Sequence, residues 1–209
     1  MNRNCYVALA VACTCALWCA SGNAEIYAGW AVGSVRSGQT SGTILRSVDS
    51  GSTWTYQGVG QIADVKMESV RAVDANTAWV VGDSDGYATI YRTTDGGATW
   101  QRKGEGNPLL KDLSLEKVDA VDANQVWAVG PGTILHSADG GDTWANVCPP
   151  EYGTNFLQGV SAPSSQVVWV TGKAQLDSST GTSYTLILKS TDGGMNWERQ
   201  TDDGSSNVL

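Results

Sequence analysis

The stretch Trp127 to Trp144 reads WAVGPGTILHSADGGDTW. It holds two short apolar runs, Trp127-Ala-Val129 and Ile134-Leu135. Pro131-Gly132 separates them, and the segment closes with Ser137-Ala-Asp139-Gly-Gly141-Asp-Thr143-Trp144. Runs of this length bounded by Gly, Pro, Ser and Asp specify short strands joined by tight turns. The closing eight residues occur three more times. They stand as Ser47-Val-Asp49-Ser-Gly51-Ser-Thr53-Trp54, as Thr93-Thr-Asp95-Gly-Gly97-Ala-Thr99-Trp100 and as Ser190-Thr-Asp192-Gly-Gly194-Met-Asn196-Trp197. Their final tryptophans are 46, 44 and 53 residues apart. Such a period marks a repeat architecture, and every other feature of the chain is read against it.

A second column precedes each of these boxes. Gly29-Trp30-Ala-Val-Gly33, Ala78-Trp79-Val-Val-Gly82, Val126-Trp127-Ala-Val-Gly130 and Val168-Trp169-Val-Thr-Gly172 align with one another. The two columns hold eight of the nine tryptophans. A further strand is expected before the Trp column, over Glu68–Val73, Lys117–Val121 and Leu157–Ala162, each followed by local turn formers such as Asp74-Ala-Asn76. Four strands per unit of this length is the arithmetic of a β-propeller blade. The expected fold is therefore all-β, with four blades over approximately 25–57, 65–103, 115–147 and 157–200. The first blade lacks its inner strand.

Within the box, the Asp is suited to accept backbone N–H groups across a hairpin. The second Gly (Gly51, Gly97, Gly141, Gly194) supplies a positive φ. The closing Trp is expected to bury its ring against the preceding sheet. Ser47, Asp49, Trp54, Asp95, Trp100, Ser137, Asp139, Trp144, Ser190, Asp192 and Trp197 are read accordingly as structural. A residue needed once per blade serves folding, so these carboxylates are assigned neither to catalysis nor to a metal.

The S-x-D-x-G-x-T-W pattern, preceded by W-A-V-G and I-L-x-S, resembles the Asp-box (BNR) repeat. That repeat occurs in bacterial sialidases, sortilin-type receptors, some endoglucanases and photosystem II assembly-factor-like propellers. The third repeat looks most like the last group. The resemblance covers residues 29 to 200 and implies the propeller fold; its members have unrelated activities, so it selects no single function. Known Asp-box propellers usually have more than four blades, which leaves two readings of closure open. The segment Asn207-Val-Leu209 can begin the strand missing from the first blade, or it can begin a fifth blade of a longer gene product. An open arc would expose sheet edges and invite self-association.

At the N-terminus, Arg3 precedes an uncharged run, Cys5 to Ala20, and Ser21-Gly-Asn-Ala24 follows. This is the layout of a cleavable export signal over 1–24, leaving 25–209 as a secreted or periplasmic chain. Acylation at Cys15 or Cys19 is the lipoprotein alternative, disfavoured by Thr14 and Trp18 before them. Signal removal takes Cys5, Cys13, Cys15 and Cys19 and leaves Cys148 alone, so no disulfide framework is expected. The net charge of −8 repels phosphate backbones and anionic lipid. Nucleic acid and membrane insertion after signal cleavage are excluded on that ground.

Among candidate reactive groups, His136 is the chain's one histidine, and it shares a column with Arg46, Arg92 and Lys189 just before the box. It is read as structural. The stretch Asp83-Ser-Asp85-Gly86 has a faint calcium-loop look, but its twelfth position is Thr94, not a carboxylate. No carboxylate pair is selected by spacing for glycoside hydrolysis. No cofactor or metal is expected. The Asp-box turns and Asp-Ala-Asn turns belong at one end of the blades, and connections of unlike length at the other. That second end carries the candidate binding residues Arg36, Asp83, Asp85, Tyr87, Lys173 and Asp177. The function expected is a non-catalytic scaffold for a protein or glycan partner, with a sialidase-like hydrolase fragment as the alternative.

Overall fold

The computed structural model describes residues 28–33, 42–62, 65–175 and 183–200. The export segment lies outside these residues, as do Arg36 and Asp177. The described chain forms four antiparallel sheets. The first has three strands, β1 (Gly29–Gly33), β2 (Thr43–Ser47) and β3 (Thr55–Gln57). The second runs β4 (Lys66–Ala72), β5 (Ala78–Ser84), β6 (Tyr87–Thr93) and β7 (Gln101–Lys103). The third holds β8 (Lys117–Ala120), β9 (Val126–Gly130), β10 (Thr133–Ser137) and β11 (Ala145–Asn146). The fourth holds β12 (Phe156–Ser161), β13 (Val168–Gln175), β14 (Ser183–Ser190) and β15 (Glu198–Arg199). Strands pair in sequence order within every sheet, so each is a simple up-and-down meander. This is a four-bladed propeller architecture, with three strands of the first blade among the described residues.

The blades pack in chain order: β1 lies against the inner strand β4, β4 against β8 and β8 against β12. The core accordingly comes in three slabs, one per junction. Trp30, Val32 and Ile44 of blade 1 meet Val80, Tyr91 and Trp100 of blade 2. Trp79, Val81 and Ile90 of blade 2 meet Ala128, Leu135 and Trp144 of blade 3. Trp127, Val129 and Ile134 of blade 3 meet Val170 and Leu188 of blade 4, with Trp197 at the edge. Successive side chains of a strand point to opposite faces, and here both faces are covered. That is why runs such as Trp79-Val-Val81 are apolar without a break.

The glycine that ends each Trp column answers to a close backbone approach. A Cβ at Gly82 would fall on the Lys66 carbonyl, at Gly130 on that of Ser114, and at Gly172 on that of Phe156. The inner strand shifts register at this level, between Met67 and Ser69 in blade 2 and between Leu157 and Gly159 in blade 4. Such a bulge brings the backbone close to its neighbour, where a side chain has no room. In blade 1, which has no inner strand among the described residues, Gly33 meets nothing within 4 Å.

Polar links also tie the inner strands together. Ser69 Oγ accepts the Val118 amide at 3.3 Å. The buried Asp119 carboxylate pairs with Arg71 of blade 2 at 2.9 Å and accepts the Ala162 amide of blade 4 at 2.7 Å. One side chain thus spans three blades. A buried carboxylate is tolerated because both of its oxygens are engaged by donors.

Candidate functional site

At one end of the blades, the four boxes close on themselves. In each, the first hydroxyl (Ser47, Thr93, Ser137, Ser190) donates to Oδ1 of the box Asp at 2.8–2.9 Å. The hydroxyl oxygen itself accepts the amide of the second Gly at 2.8–2.9 Å. The Asp then accepts the amide four residues on, from Thr53, Thr99, Thr143 or Asn196, at 2.8–2.9 Å. Its Oδ2 takes the side chain of that residue at 2.6–2.7 Å. These donors favour the ionised form. The Thr side-chain and backbone bonds hold Asp49, Asp95 and Asp139 down at about 2, and Asp192 is lowered by Asn196 in the same way. A carboxylate so engaged has neither the basicity nor the free lone pairs for proton transfer. The second Gly of each box sits at φ +85 to +87, outside the range of ordinary side chains.

The two tryptophan columns meet across the blade junctions. Trp30 packs edge-on against Trp100, Trp79 against Trp144, and Trp127 against Trp197, with ring centroids 5.7–6.4 Å apart. Trp100, Trp144 and Trp197 therefore each pack their ring against the column Trp of the preceding blade. Trp54 of the first box is 43% exposed.

The residue that pairs with each column Trp across the strands lies over its ring. Arg46 sits 5.2 Å above Trp30, Arg92 5.1 Å above Trp79 and Lys189 4.9 Å above Trp169. His136 stacks on Trp127 at 3.9 Å and 9°. Its Nε2 is 2.9 Å from Gln125 Oε1, and burial lowers its pKa. The arginines also reach the next blade: Arg46 donates to the Ala75 carbonyl of its Asp-Ala-Asn turn at 2.7 Å, and Arg92 to the Gly140 carbonyl of its box at 3.2 Å. Cys148 is half-buried, and burial with the nearby Glu151 charge pushes its thiol up to about 11. A thiol protonated at neutral pH is a poor nucleophile.

The opposite end is built from hairpins and inter-blade segments laced together. The β5–β6 hairpin turns on Asp85 (φ 47) and Gly86 (φ 79), a two-residue loop with both φ positive. The sequence Asp83-Ser-Asp85-Gly86 is thus a strand end and a tight turn. Asp83 continues β5 opposite Lys66, and Asp85 is exposed at the tip. Gly86 accepts the Asp112 amide at 2.7 Å, and Tyr87 bridges to Lys111. In the next junction Gly132 donates to the Asn155 carbonyl at 2.7 Å, and Pro131 bridges to Phe156. Lys173 is exposed on β13, paired with Phe156.

This lacing presents two large exposed apolar residues, Tyr87 at 43% and Phe156 at 53%, and Val59 is 78% exposed in the segment between β3 and β4. Val59 and Phe156 escape a reading of the sequence, because exposure of an apolar side chain is a tertiary property. Close by, Lys66 pairs with Glu68, and burial with the Glu68 and Asp83 charges raises the Glu116 pKa. Glu68 and Glu116 each follow the residue packed beneath the column Gly. Aligning the inner strands on that Gly would have found them. Among the described residues, no group of three or more His, Cys, Asp or Glu is placed to hold a metal ion.

A family model described as Photosynthesis system II assembly factor YCF48 matches residues 59–208. Among solved structures, an ancestral GH74 enzyme aligns at TM-score 0.60 and 16% identity, over 85% of this chain and 26% of that one. The GH74 enzyme of Niastella koreensis aligns at TM-score 0.51 and 16% identity, over 85% of this chain and 36% of that one. A structure of YCF48 bound to D1 peptide aligns at TM-score 0.48 and 18% identity, over 87% of this chain and 81% of that one. No curated protein matches the chain. This chain therefore spans a minor part of either GH74 enzyme, and the likeness to them is one of fold.

Proposed function

The chain belongs to the photosynthesis system II assembly factor YCF48 family, and from that premise we propose that it is an exported, non-catalytic scaffold that binds a protein segment at the loop end of its blades. The observation that carries the reading is the set of exposed apolar residues at that end, Val59, Tyr87 and Phe156, the last two on backbone laced across blade junctions. Side chains presented by rigid backbone lose little conformational freedom on binding, and aromatic anchors dominate the energetics of recognition. The box carboxylates, His136 and Cys148 are committed to internal contacts. Export belongs to the same proposal and rests on the uncharged run from Cys5 to Ala20.

The test is a titration of the purified chain with a library of labelled peptides, beside a Tyr87→Ala/Phe156→Ala variant. Peptide binding that weakens about tenfold or more in the variant, at unchanged melting temperature, is the expected result. Failure of every peptide to bind would sink the reading. So would turnover of a glycan abolished by a loop substitution such as Asp83→Asn. For export, the secreted product should begin after Ala24 by mass spectrometry, and an intact N-terminus would refute that part.

A further inference from the structure

The sequence contains five Asp–Gly pairs, and four of them lie among the described residues: Asp85-Gly86, Asp95-Gly96, Asp139-Gly140 and Asp192-Gly193. Such a pair is chemically labile, because the glycine nitrogen can attack the γ-carbon of the Asp carboxyl, and a glycine puts no Cβ in the way. Three conditions must be met. The carboxyl must be able to take up a proton, the amide must be free to act as a nucleophile, and the backbone must rotate to bring the two together.

The three box pairs meet none of these conditions. Oδ1 of Asp95, Asp139 and Asp192 accepts a hydroxyl and a backbone amide, and Oδ2 accepts the side chain four residues on. Those bonds keep the carboxylates ionised, Asp95 and Asp139 at about 2. The nucleophile is held as well. Gly96 donates to the Asn76 carbonyl at 2.9 Å, Gly140 to Asn124 at 3.1 Å and Gly193 to Gln166 at 2.9 Å. A backbone bonded at both residues of the pair cannot rotate without opening the box.

Asp85-Gly86 is built differently. It is the two-residue tip of the β5–β6 hairpin, beyond the last ladder pair, Ser84 with Tyr87, and both of its residues are exposed. Among the described residues no hydrogen bond or ion pair engages the Asp85 carboxylate. The Gly86 amide donates to no backbone carbonyl, although the Gly86 carbonyl accepts the Asp112 amide at 2.7 Å. The turn holds Asp85 at φ 47, a left-handed conformation that L-residues adopt at a cost, so nothing local opposes its rotation.

We propose that Asp85 is a site of spontaneous covalent modification, isomerising to isoaspartate through a cyclic imide formed with Gly86. The Gly86 nitrogen bonds to Asp85 Cγ, and the γ-hydroxyl leaves with the amide proton as water. A water molecule then adds to one of the two imide carbonyls. Opening at the γ-carbonyl restores Asp85. Opening at the α-carbonyl breaks the original peptide C–N bond and leaves the chain running through Cβ and Cγ. The mass is unchanged, the former α-carboxyl becomes the side-chain carboxylate, and the main chain gains one atom. A two-residue hairpin loop has no slack for that atom. The Gly86 carbonyl therefore leaves the Asp112 amide, and Tyr87 loses its bridge to Lys111. The chemistry does not depend on what the loop end binds.

The experiment ages the full folded chain at physiological temperature and mildly acidic pH. Isoaspartate is then assigned to individual residues by mass spectrometry with electron-based fragmentation. It should form at Asp85 about tenfold or more faster than at Asp95, Asp139 or Asp192, since a box must first open and release its carboxylate. In denaturant the difference should disappear. Isoaspartate that stays at background at Asp85, or forms there no faster than in the boxes, overturns the proposal. So does a difference that persists in denaturant, because sequence and not the turn would then select the site. Hydrogen exchange supplies the second readout. The Asp112 amide should lose protection in the aged chain and keep it in aged Asp85→Gly, which holds the positive φ without a carboxyl. Equal loss in that variant refutes the stated consequence for the hairpin.

Discussion

At the residue scale, the box hydroxyl is the hub of the turn, since it donates to the Asp while accepting a buried glycine amide. Thr93 is 1% exposed, and its Oγ1 accepts the Gly97 amide at 2.8 Å. Thr93→Val keeps the volume and strands that amide, which should cost about 1–3 kcal/mol of stability in a denaturant titration. The box carboxylates set the acid limit of the fold. Asp49, Asp95 and Asp139 are held at about 2 against an ordinary value of 3.8. Folding therefore releases protons between these values. The boxes' contribution is complete above about pH 4 and is lost as pH falls toward 2. The melting temperature should be insensitive to these groups near neutrality and fall steeply across that window. A melting temperature unchanged down to pH 2 would contradict the hydrogen bonding described. His136 shows how a column position tells more than a residue type. Imidazole invites a catalytic reading, yet it lies on Trp127 as Arg92 lies on Trp79.

At the element scale, the junction between blades is the unit of stability. Trp79 is fully buried between two sheets, edge-on to Trp144. Trp79→Ala should cost about 3–5 kcal/mol, the range for deleting a large core aromatic. Trp54→Ala, which empties an exposed site, should cost about 1 kcal/mol or less. Equal effects of the two in a thermal melt would refute junction packing as the source of stability. Strands, turns and both Trp columns were legible in the sequence because each is specified by residues adjacent along the chain. The pairing of one column with the other was not. Trp30 meets Trp100, and no local pattern says which box receives which ring. The column glycines were legible as a pattern and opaque as to cause. Gly82 is required by the Lys66 carbonyl of a bulged neighbouring strand, a contact visible only in three dimensions.

At the scale of the whole molecule, the strand contacts among the described residues run between blades adjacent in sequence, which makes stability a sum of blade and junction contributions. Blades 2 and 3 have a junction on either side. Hydrogen exchange should accordingly be slowest in β5 and β9 and faster in β2 and in β14, and uniform protection of all four strands would contradict this serial order. The loop end was legible as the place where segments differ in length, which named Tyr87 and Asp85 but not the lacing that fixes them. The same serial order bears on how the chain is made. A box completes its hydrogen bonds within five residues of its own Asp, so it can close as soon as it leaves the ribosome. The ring that must dock on it waits from the previous blade: Trp79 is translated long before Trp144. At an elongation rate of about 5–20 residues per second, that gap lasts several seconds. Throughout synthesis the newest blade thus offers a bare aromatic face to solvent, and a slow stretch of codons just after a column Trp would prolong its exposure to holdase chaperones.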